Sequence, residues 1–338
     1  MTPDFRIIAE GADATAAIAD RLLSLTVVDG DEEKADRLTL EIDARDARVE
    51  LPETGAVLEV ALGFRETGLV EMGRFTVDGL KGRGPALGIT VEATAADMTG
   101  PLRAPRSTSW EDETLGGIVE KIAARGGLTA AVSPRLSAIA IPFEAQTAES
   151  DLAFLTRLAE RHDATAKPAG GRLVVTPRDR GEAADGSALP PVPLPVTRLQ
   201  DWDWDIVERE KVGRVEAEWR DTDAGTRETV TAGEGDPVHR LRHVHSSEDE
   251  ARRAAEAKLR RAGRGKVELN ARLAGFEPAL FAGRTATLSG IYPGIDGTFL
   301  VKRVEHRLAG ALTTNVRAQA SDQEGGDDGA ADDPEAEQ

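Results

Sequence analysis

The chain carries one β-type motif twice, and this duplication is the feature that most constrains its fold. Gly73-Arg74-Phe75-Thr76-Val77 returns near the C-terminal end as Gly297-Thr298-Phe299-Leu300-Val301. Strand-like alternation follows both copies at nearly the same distance, at Leu87, Ile89, Val91 and Ala93, and then at Leu312, Thr314, Val316 and Ala318. Three copies of such a chain would present six similar modules, which allows a threefold object to meet a sixfold one. The residues that we expect to shape equivalent turns and cores, without a chemical role, are Gly73, Phe75, Val77, Gly297, Phe299 and Val301.

The length and charge of the chain limit its class. With 338 residues it is too long for one ordinary core, and we expect two or three domains. Hydrophobic residues make up 40% and charged residues 30%, which is typical of folded globular proteins. The formal net charge is −18. An acidic chain lacks the basic surface that binding to phosphates requires, so we expect no nucleic-acid partner.

Cysteine is absent from the sequence, which excludes disulfides, thiolate zinc sites and a cysteine nucleophile. The first residues lack the basic-then-apolar order of a signal peptide, and no apolar run approaches the ~20 residues that span a bilayer. We therefore expect synthesis and folding in the cytoplasm, without stable membrane insertion.

Sequence patterns divide the chain into five segments. Residues 1–100 contain short alternating runs between turn residues, which predicts a first β-barrel module. Residues 106–180 change to helical spacing and predict an α+β module. Residues 181–197 form a Pro-rich linker. Residues 198–320 return to strand patterns with a helical insertion and predict a second barrel module, and residues 321–338 form an acidic tail that we expect to be disordered.

The predicted fold class is mainly β with an α+β insert, in which two duplicated antiparallel β-barrel modules flank a small α+β module. In that module we expect Ser109 to cap the first helix, with Asp112 three residues later. The helix inserted into the second barrel is expected at about residues 247–262, with Ser247 and Glu250 at its start.

The second predicted helix carries a distinctive motif. Its sequence is Glu149-Ser150-Asp151-Leu152-Ala153-Phe154-Leu155-Thr156-Arg157-Leu158-Ala159. This stretch resembles a signature of the phage late control protein D family, the baseplate hubs of contractile tails, which type VI secretion tip proteins share. The C-terminal Gly275-Phe276-Glu277-Pro278 and the second copy of the repeat also look like the second barrel of such a hub. The motif residues that carry the resemblance are Glu149, Ser150, Asp151, Phe154, Arg157 and Leu158.

The resemblance implies a structural role in a contractile tail. It implies a homotrimer whose six barrels form a ring beneath a hexameric tail tube, with a trimeric spike on the far side. Partners would be the chain itself, the tail tube protein, the spike protein and other baseplate or tape-measure proteins. The chain would lie in the baseplate of the virion tail after assembly in the host cytoplasm. Because no glycine-rich spike repeat follows the second barrel, we expect the spike on a separate chain.

The motif helix has two interpretations. Its leucines form an apolar face that helices usually bury within their own domain, so packing within the chain is favoured. The alternative is that Arg157 and Arg161 pair with acids across a subunit contact.

Three histidines form the one imidazole-rich spot of the sequence. His239, His243 and His245 have the spacing His-x3-His-x-His, which makes them a weak candidate for a metal site. They precede a capped helix in a polar region, so a solvated loop is the favoured interpretation. We otherwise expect no metal and no cofactor.

Acidic and aromatic residues alternate in Asp201-Trp202-Asp203-Trp204-Asp205. At strand spacing, the tryptophans and Ile206 face one side and the carboxylates the other. We expect an exposed acidic ladder beside an apolar barrel face. A further hypothesis is that these acids line a central pore, where they would discourage adhesion of DNA.

Catalytic motifs are missing from the sequence, which contains no nucleophile elbow, phosphate-binding loop or His-Glu-x-x-His. We therefore expect no enzymatic activity. Two other functions remain open: an envelope-degrading tail enzyme, and a carbohydrate- or cell-surface-binding β-module protein. The second is suggested by three tryptophans that look exposed in the sequence, Trp110, Trp202 and Trp204.

Overall fold

The computed structural model describes residues 1–30, 36–45, 49–95, 100–178, 181–206, 212–221, 224–263 and 267–321. The predicted acidic tail lies outside these residues, except for Ser321. Four groups of elements, each with its own buried core, follow one another or are nested along the chain. The segment boundaries inferred from the sequence stay predictions.

The first unit is an antiparallel sheet with one hydrophobic core. Its elements are β1 (Pro3–Ala9), β2 (Ala12–Asp13), α1 (Thr15–Ile18), β3 (Leu22–Gly30), β4 (Arg37–Asp43), β5 (Val57–Phe64), β6 (Gly68–Arg83) and β7 (Gly88–Ala95). The strand order is β3-β4-β7-β6-β5-β1, with antiparallel neighbours throughout. Alternate residues of these strands point inward, so that Leu25, Leu40 and Phe75 share one core.

The middle unit combines a ribbon, a small sheet and two main helices. Its elements are β8 (Pro105–Thr114), α2 (Leu115–Arg125), β9 (Thr129–Val132), α3 (Pro134–Ser137), β10 (Ala140–Ser150), α4 (Asp151–Arg161), β11 (Ala164–Ala169) and β12 (Arg172–Pro177). Strands β8 and β10 pair with each other, and β11, β12 and β9 form the sheet.

The start of the first long helix differs from the prediction. Ser109 lies inside β8, and Thr114 is the cap of α2, since its side-chain oxygen accepts the N–H of Gly117 at 3.1 Å. The prediction was wrong because Ser109 and Asp112 match the spacing of a capping box, while pairing of β8 with β10 decides the conformation of these residues.

The second unit is interrupted by an inserted unit. Its elements are β13 (Val192–Pro195), β14 (Leu199–Ile206), then the insertion of β15 (Arg214–Arg220), β16 (Arg227–Gly233), β17 (Val238–His245) and α5 (Glu248–Gly263), then β18 (Val267–Leu273), β19 (Thr285–Ser289), β20 (Gly297–Ala309) and β21 (Ala311–Ala320). The strand order of the second unit is β14-β18-β21-β20-β19-β13. The insertion is more than the expected helix, because β15, β16 and β17 form a sheet against which α5 packs.

The second unit is not a purely antiparallel sheet, and part of the Pro-rich segment before it forms a strand. Strand β13 lies within the Pro-rich segment 181–197 and pairs with β19 in parallel orientation. Pro193 and Pro195 have no N–H to donate, which suits a strand at the edge of a sheet.

The two units have equivalent topologies. Strands β3, β4, β7, β6 and β5 correspond in order and orientation to β14, β18, β21, β20 and β19. Strands β1 and β13 occupy the same place in this order, but β1 pairs antiparallel with β5, whereas β13 pairs parallel with β19. The irregularities correspond as well: a register shift between Val77 and Gly79 in the β6–β7 pair has its counterpart between Val301 and Arg303 in the β20–β21 pair. The β3–β4 and β14–β18 pairs also share a shift near their start. Because β-bulges are specific local features, shared positions indicate a structural duplication.

A strand pair joins the two units side by side. Residues Arg303 to Leu308 of β20 pair with Leu25 to Gly30 of β3, which makes one continuous sheet of 13 strands. Leu308 and Leu312 of the second unit lie in the core of the first. The joint therefore combines backbone pairing with apolar burial.

Candidate functional site

The duplicated residues occupy equivalent structural positions. Gly73 and Gly297 have φ angles of 123° and 155°, in the region that favours glycine. Gly73 is opposite Val60 of β5, as Gly297 is opposite Leu288 of β19. The side chains that fill the two cores from these strands are Phe75, Val77, Phe299 and Val301, all of them buried.

The motif helix is anchored by a buried carboxylate. The Ser150 side chain caps α4 by accepting the N–H of Ala153 at 3.1 Å. Next to it, Asp151 is fully buried (0%). Its Oδ1 accepts hydrogen bonds from Arg125 Nη2 at 2.8 Å and Gln146 Nε2 at 2.9 Å. A buried charge is tolerated only when it is paired in this way, so Asp151 ties α4 to α2 and β10.

The arginines of the motif helix pair within the chain. Arg157 donates to Glu149 Oε1 at 2.6 Å and to Glu144 Oε1 at 2.7 Å, and Arg161 donates to the second oxygen of Glu144 at 2.5 Å. Phe154 lies below the Arg157 guanidinium, 5.3 Å from its carbon. Leu158 is buried in the same core. These contacts agree with the interpretation of the motif as packing within the chain.

Trp110 is buried, contrary to the expectation that it is exposed. Its ring stacks on Phe154, with 5.8 Å between centroids, and Arg125 lies above it at 5.3 Å. The sequence suggested exposure because polar residues surround this tryptophan in β8. A carbohydrate surface that uses Trp110 is therefore ruled out by its burial.

Two of the three histidines approach a glutamate at the start of α5. His243 and His245 lie on β17 with ring centroids 5.0 Å apart, and Nδ1 of the buried His245 is 3.3 Å from Glu250 Oε1. The donor atoms of these three residues lie within 4.8 Å of one another. His239 lies on the same strand, four residues before His243, and is not part of this group. The structure therefore does not bring all three predicted histidines to one point. They belong to a strand and not to the predicted solvated loop.

Charges around Glu250 compete with a metal ion. Burial by itself would raise the pKa of Glu250, but the adjacent His245 and hydrogen bonds from Ser246 lower that pKa to about 2. Arg161 Nη1 of α4 lies 3.9 Å from Glu250 Oε1. Two imidazoles and a carboxylate are a ligand set that zinc accepts, but a neighbouring guanidinium disfavours a second cation. We favour a polar joint between α4, β17 and α5.

A largely buried ion cluster joins three units, and no sequence pattern indicates it. Lys167 of β11 pairs with Asp29 of β3 and, at 2.7 Å, with Asp36. The other oxygen of Asp29 accepts the N–H of Ala282 at 3.1 Å. Burial and the nearby Asp29 raise the pKa of Asp36 to about 7. The cluster borders a cavity of about 560 Å³ that Phe281 also lines. No local sequence signal marks it, since Lys167 and Ala282 are far along the chain from the two aspartates.

The alternating Asp-Trp strand is exposed on both faces. Strand β14 pairs with β18 on one side, and no other described strand pairs with its second side. Asp203 accepts a hydrogen bond from Asn270 at 2.7 Å on the polar face. On the apolar face Trp202 and Trp204 remain 41% and 37% exposed. The expected acidic ladder is present, but the apolar face beside it is only partly covered.

Comparison with known proteins gives the family. The model of the phage tail baseplate hub (GPD) family matches residues 32–311. The probable baseplate hub protein of Escherichia phage P2 is 32% identical over 94% of this chain and 93% of its own length, and that of Escherichia phage 186 is 33% identical over 91% and 90%. The chain therefore belongs to the phage tail baseplate hub family.

Solved structures show the same fold. The 43 kDa tail protein of prophage MuSo2 from Shewanella oneidensis matches with a TM-score of 0.71 at 15% identity, over 94% of this chain and 98% of the other. A tail protein from Neisseria meningitidis MC58 matches with a TM-score of 0.70 at 13% identity, over 95% and 97%. The predicted family and the mainly β fold are confirmed. Within the described residues, no helix has the length and apolar character to cross a bilayer.

Proposed function

We propose that this chain is a non-enzymatic hub that forms a homotrimeric ring of six barrel units and joins a hexameric tail tube to a trimeric spike. The observation that carries the proposal is the duplicated topology, in which two units share strand order and register shifts. Equivalent units in each of three chains give six similar faces for a sixfold partner.

The parts of the chain that are not duplicated support the threefold side of the proposal. The middle unit has no counterpart among the described residues, and the inserted unit occupies the β14–β18 connection, whereas the equivalent β3–β4 connection is only residues 31–36. Three chains therefore carry three copies of each, which matches a trimeric spike. The ion cluster of Lys167, Asp29 and Asp36 fixes the middle unit against the ring units.

The partners follow from this arrangement. The ring would bind the tail tube protein on one side and the spike on the other, with other baseplate or tape-measure proteins in contact, in the baseplate of the virion tail. Assembly would take place in the host cytoplasm, without nucleic acid or membrane as a partner. The two relatives named above are described as baseplate hub proteins, which supports a structural role without catalysis.

The test is the mass and shape of the assembled protein. Multi-angle light scattering should give three times the mass of 36.0 kDa, alone or with the tube and spike proteins of the same particle. Averaged electron micrographs should show a ring with six lobes. A chain that stays monomeric with both partners present would contradict the proposal.

A further inference from the structure

The joint between the two units inside one chain is formed by one strand edge from each unit, and these two edges are of different types. Strand β20 pairs with β19 only up to Leu300, and its second half, from Arg303 to Leu308, pairs with β3. The free side of β3 in the first unit therefore accepts the free half of β20 from the second unit. Each unit contains both edge types, because β3 corresponds to β14 and β20 corresponds to β6.

The other two edges are still open. Strand β6 pairs with β5 only from Gly68 to Thr76, so its residues 79–83 have no strand partner on that side among the described residues. Strand β14 likewise pairs on one side only within the described part of the chain. The chain thus uses one edge of each type internally and leaves one edge of each type unpaired.

We infer that β14 of one copy pairs with the second half of β6 of a neighbouring copy, in the register of the β3–β20 joint. This inference rests on the proposed trimeric ring and names the contact that closes it. Because one edge type meets the other, the contact is head-to-tail and can be repeated around a ring.

The register follows from the equivalent positions. Val27 is opposite His306 in the joint inside the chain, and their counterparts are Trp204 and Gly82. The same equivalence places Trp202 opposite Gly84. At both positions a tryptophan on one edge would meet a glycine on the other, which leaves room for the large ring. The joint inside the chain instead has an aliphatic residue opposite a side chain of at least equal size at both positions.

Charges on the opposite face of the same strands are complementary. Arg307 is opposite Thr26 in the joint inside the chain, and Glu305 is opposite Val28. The equivalent pairs between copies are Arg83 with Asp203, and Lys81 with Asp205. Both pairs bring opposite charges directly across two antiparallel strands, which stabilises the pairing and selects the register.

Burial gives a third argument, independent of the charges. Leu312 is 3% exposed because it packs in the core of the first unit beside Leu25. Its counterpart Leu87 is 37% exposed, and Trp202, the counterpart of Leu25, is 41% exposed. Both exposed side chains would be covered by the same contact. Exposed apolar groups on two surfaces that fit one another mark an interaction site.

Cross-linking tests the register, since the chain has no cysteine of its own. In the full chain, Gly82→Cys combined with Trp204→Cys should give covalently closed trimers with bismaleimidoethane. The matched control combines Val70→Cys, also exposed on β6 but on its β5-paired half, with Trp204→Cys, and should give no linked trimer.

Charge reversal tests the same contact without tryptophan replacement. Arg83→Asp or Asp203→Arg alone should weaken trimer association by about tenfold or more, and the two together should restore it. A structural defect in either strand would not be restored by the second change. The readout is the trimer fraction in sedimentation velocity across a concentration series.

The outcomes separate the two proposals. A trimer that forms, gives no covalent link in the Gly82→Cys, Trp204→Cys variant, and tolerates either charge reversal would overturn the β14–β6 contact and leave the ring intact. A wild-type chain that never forms a trimer with its tube and spike partners would overturn both. Linked trimers together with rescue by the charge exchange would support both.

Discussion

Lys167 and Asp29, which are distant in the sequence, form an ion pair that joins the middle unit to the first unit. Asp29 also accepts the N–H of Ala282 in the second unit, so a single carboxylate contacts all three. This largely buried contact therefore helps to fix the middle unit against the sheet.

Replacing Lys167 should strongly destabilise this junction. Lys167→Met leaves Asp29 and Asp36 close together without their cation, and removing one partner of a buried pair costs about 3 kcal/mol. Urea denaturation should report the loss in the free energy of unfolding. The matched control is Lys121→Met, whose pair with Glu113 is exposed and should cost less than about 1 kcal/mol. Equal losses for the two variants would contradict the role of the cluster.

The raised pKa of Asp36 predicts a specific pH dependence. Its pKa is about 7 in the folded chain and near 3.8 when unfolded, so the folded state binds the extra proton between these values. The contribution of Asp36 to stability is therefore present at low pH and is lost as the pH rises from about 4 to about 7. Asp36→Asn should flatten this part of the stability curve, measured by denaturation at each pH. An unchanged slope in the variant would disprove the assignment.

The lowered pKa of His306 predicts the opposite change of stability with pH. Burial lowers its pKa to about 4, so the unfolded chain takes up the proton first as the pH falls below its ordinary value of 6.5. Stability should therefore decrease between about pH 6.5 and pH 4, and His306→Gln should remove that part of the decrease. The ring packs against Phe276 and contacts Thr314, so the variant also needs comparison at neutral pH, where its cost should not depend on pH.

The duplicated phenylalanines should have similar energetic roles. Phe75→Ala and Phe299→Ala each remove a fully buried ring from the core of one unit, and each should cost about 3–5 kcal/mol in the free energy of unfolding. Val70→Ala, on the exposed part of β6, is the control and should be nearly neutral. A large loss for one phenylalanine and none for the other would argue against equivalent cores.

The histidine cluster should not retain zinc through purification. Arg161 and the Ser246 hydrogen bonds already occupy the surroundings of Glu250. Metal analysis of protein prepared without chelators should therefore give far less than one zinc per chain. One equivalent of zinc that disappears in His245→Ala would establish the metal site instead.

The sequence predicted the parts of the fold that depend on local patterns. The repeat around Phe75 and Phe299 was visible because both copies keep the same spacing of inward residues. It did not predict the start of α2, because Ser109 and Thr114 offer competing caps and strand pairing decides between them. The sequence also did not predict the β3–β20 joint, since pairing between distant strands depends on which strand edges the fold leaves unpaired.

The candidate sites show the same difference between features that follow from local sequence and contacts between distant parts of the chain. Ser150 and the buried face of α4 follow from helix spacing, whereas the partners of Asp151 come from three other elements. Lys167 has no local feature that distinguishes it from an exposed lysine. Trp110 looked exposed because its neighbours are polar, and its stacking on Phe154 depends on the packing of the whole unit.

The β3–β20 joint also limits the number of lobes that a closed ring of these chains can have. In a closed ring of such chains, every second contact would lie within one polypeptide and would form during folding, at the high effective concentration that covalent linkage provides. Such a circle always contains an even number of lobes, and a chain cannot lose one half without opening it. Stoichiometry is thereby encoded in covalent linkage and does not depend on the relative expression of two proteins.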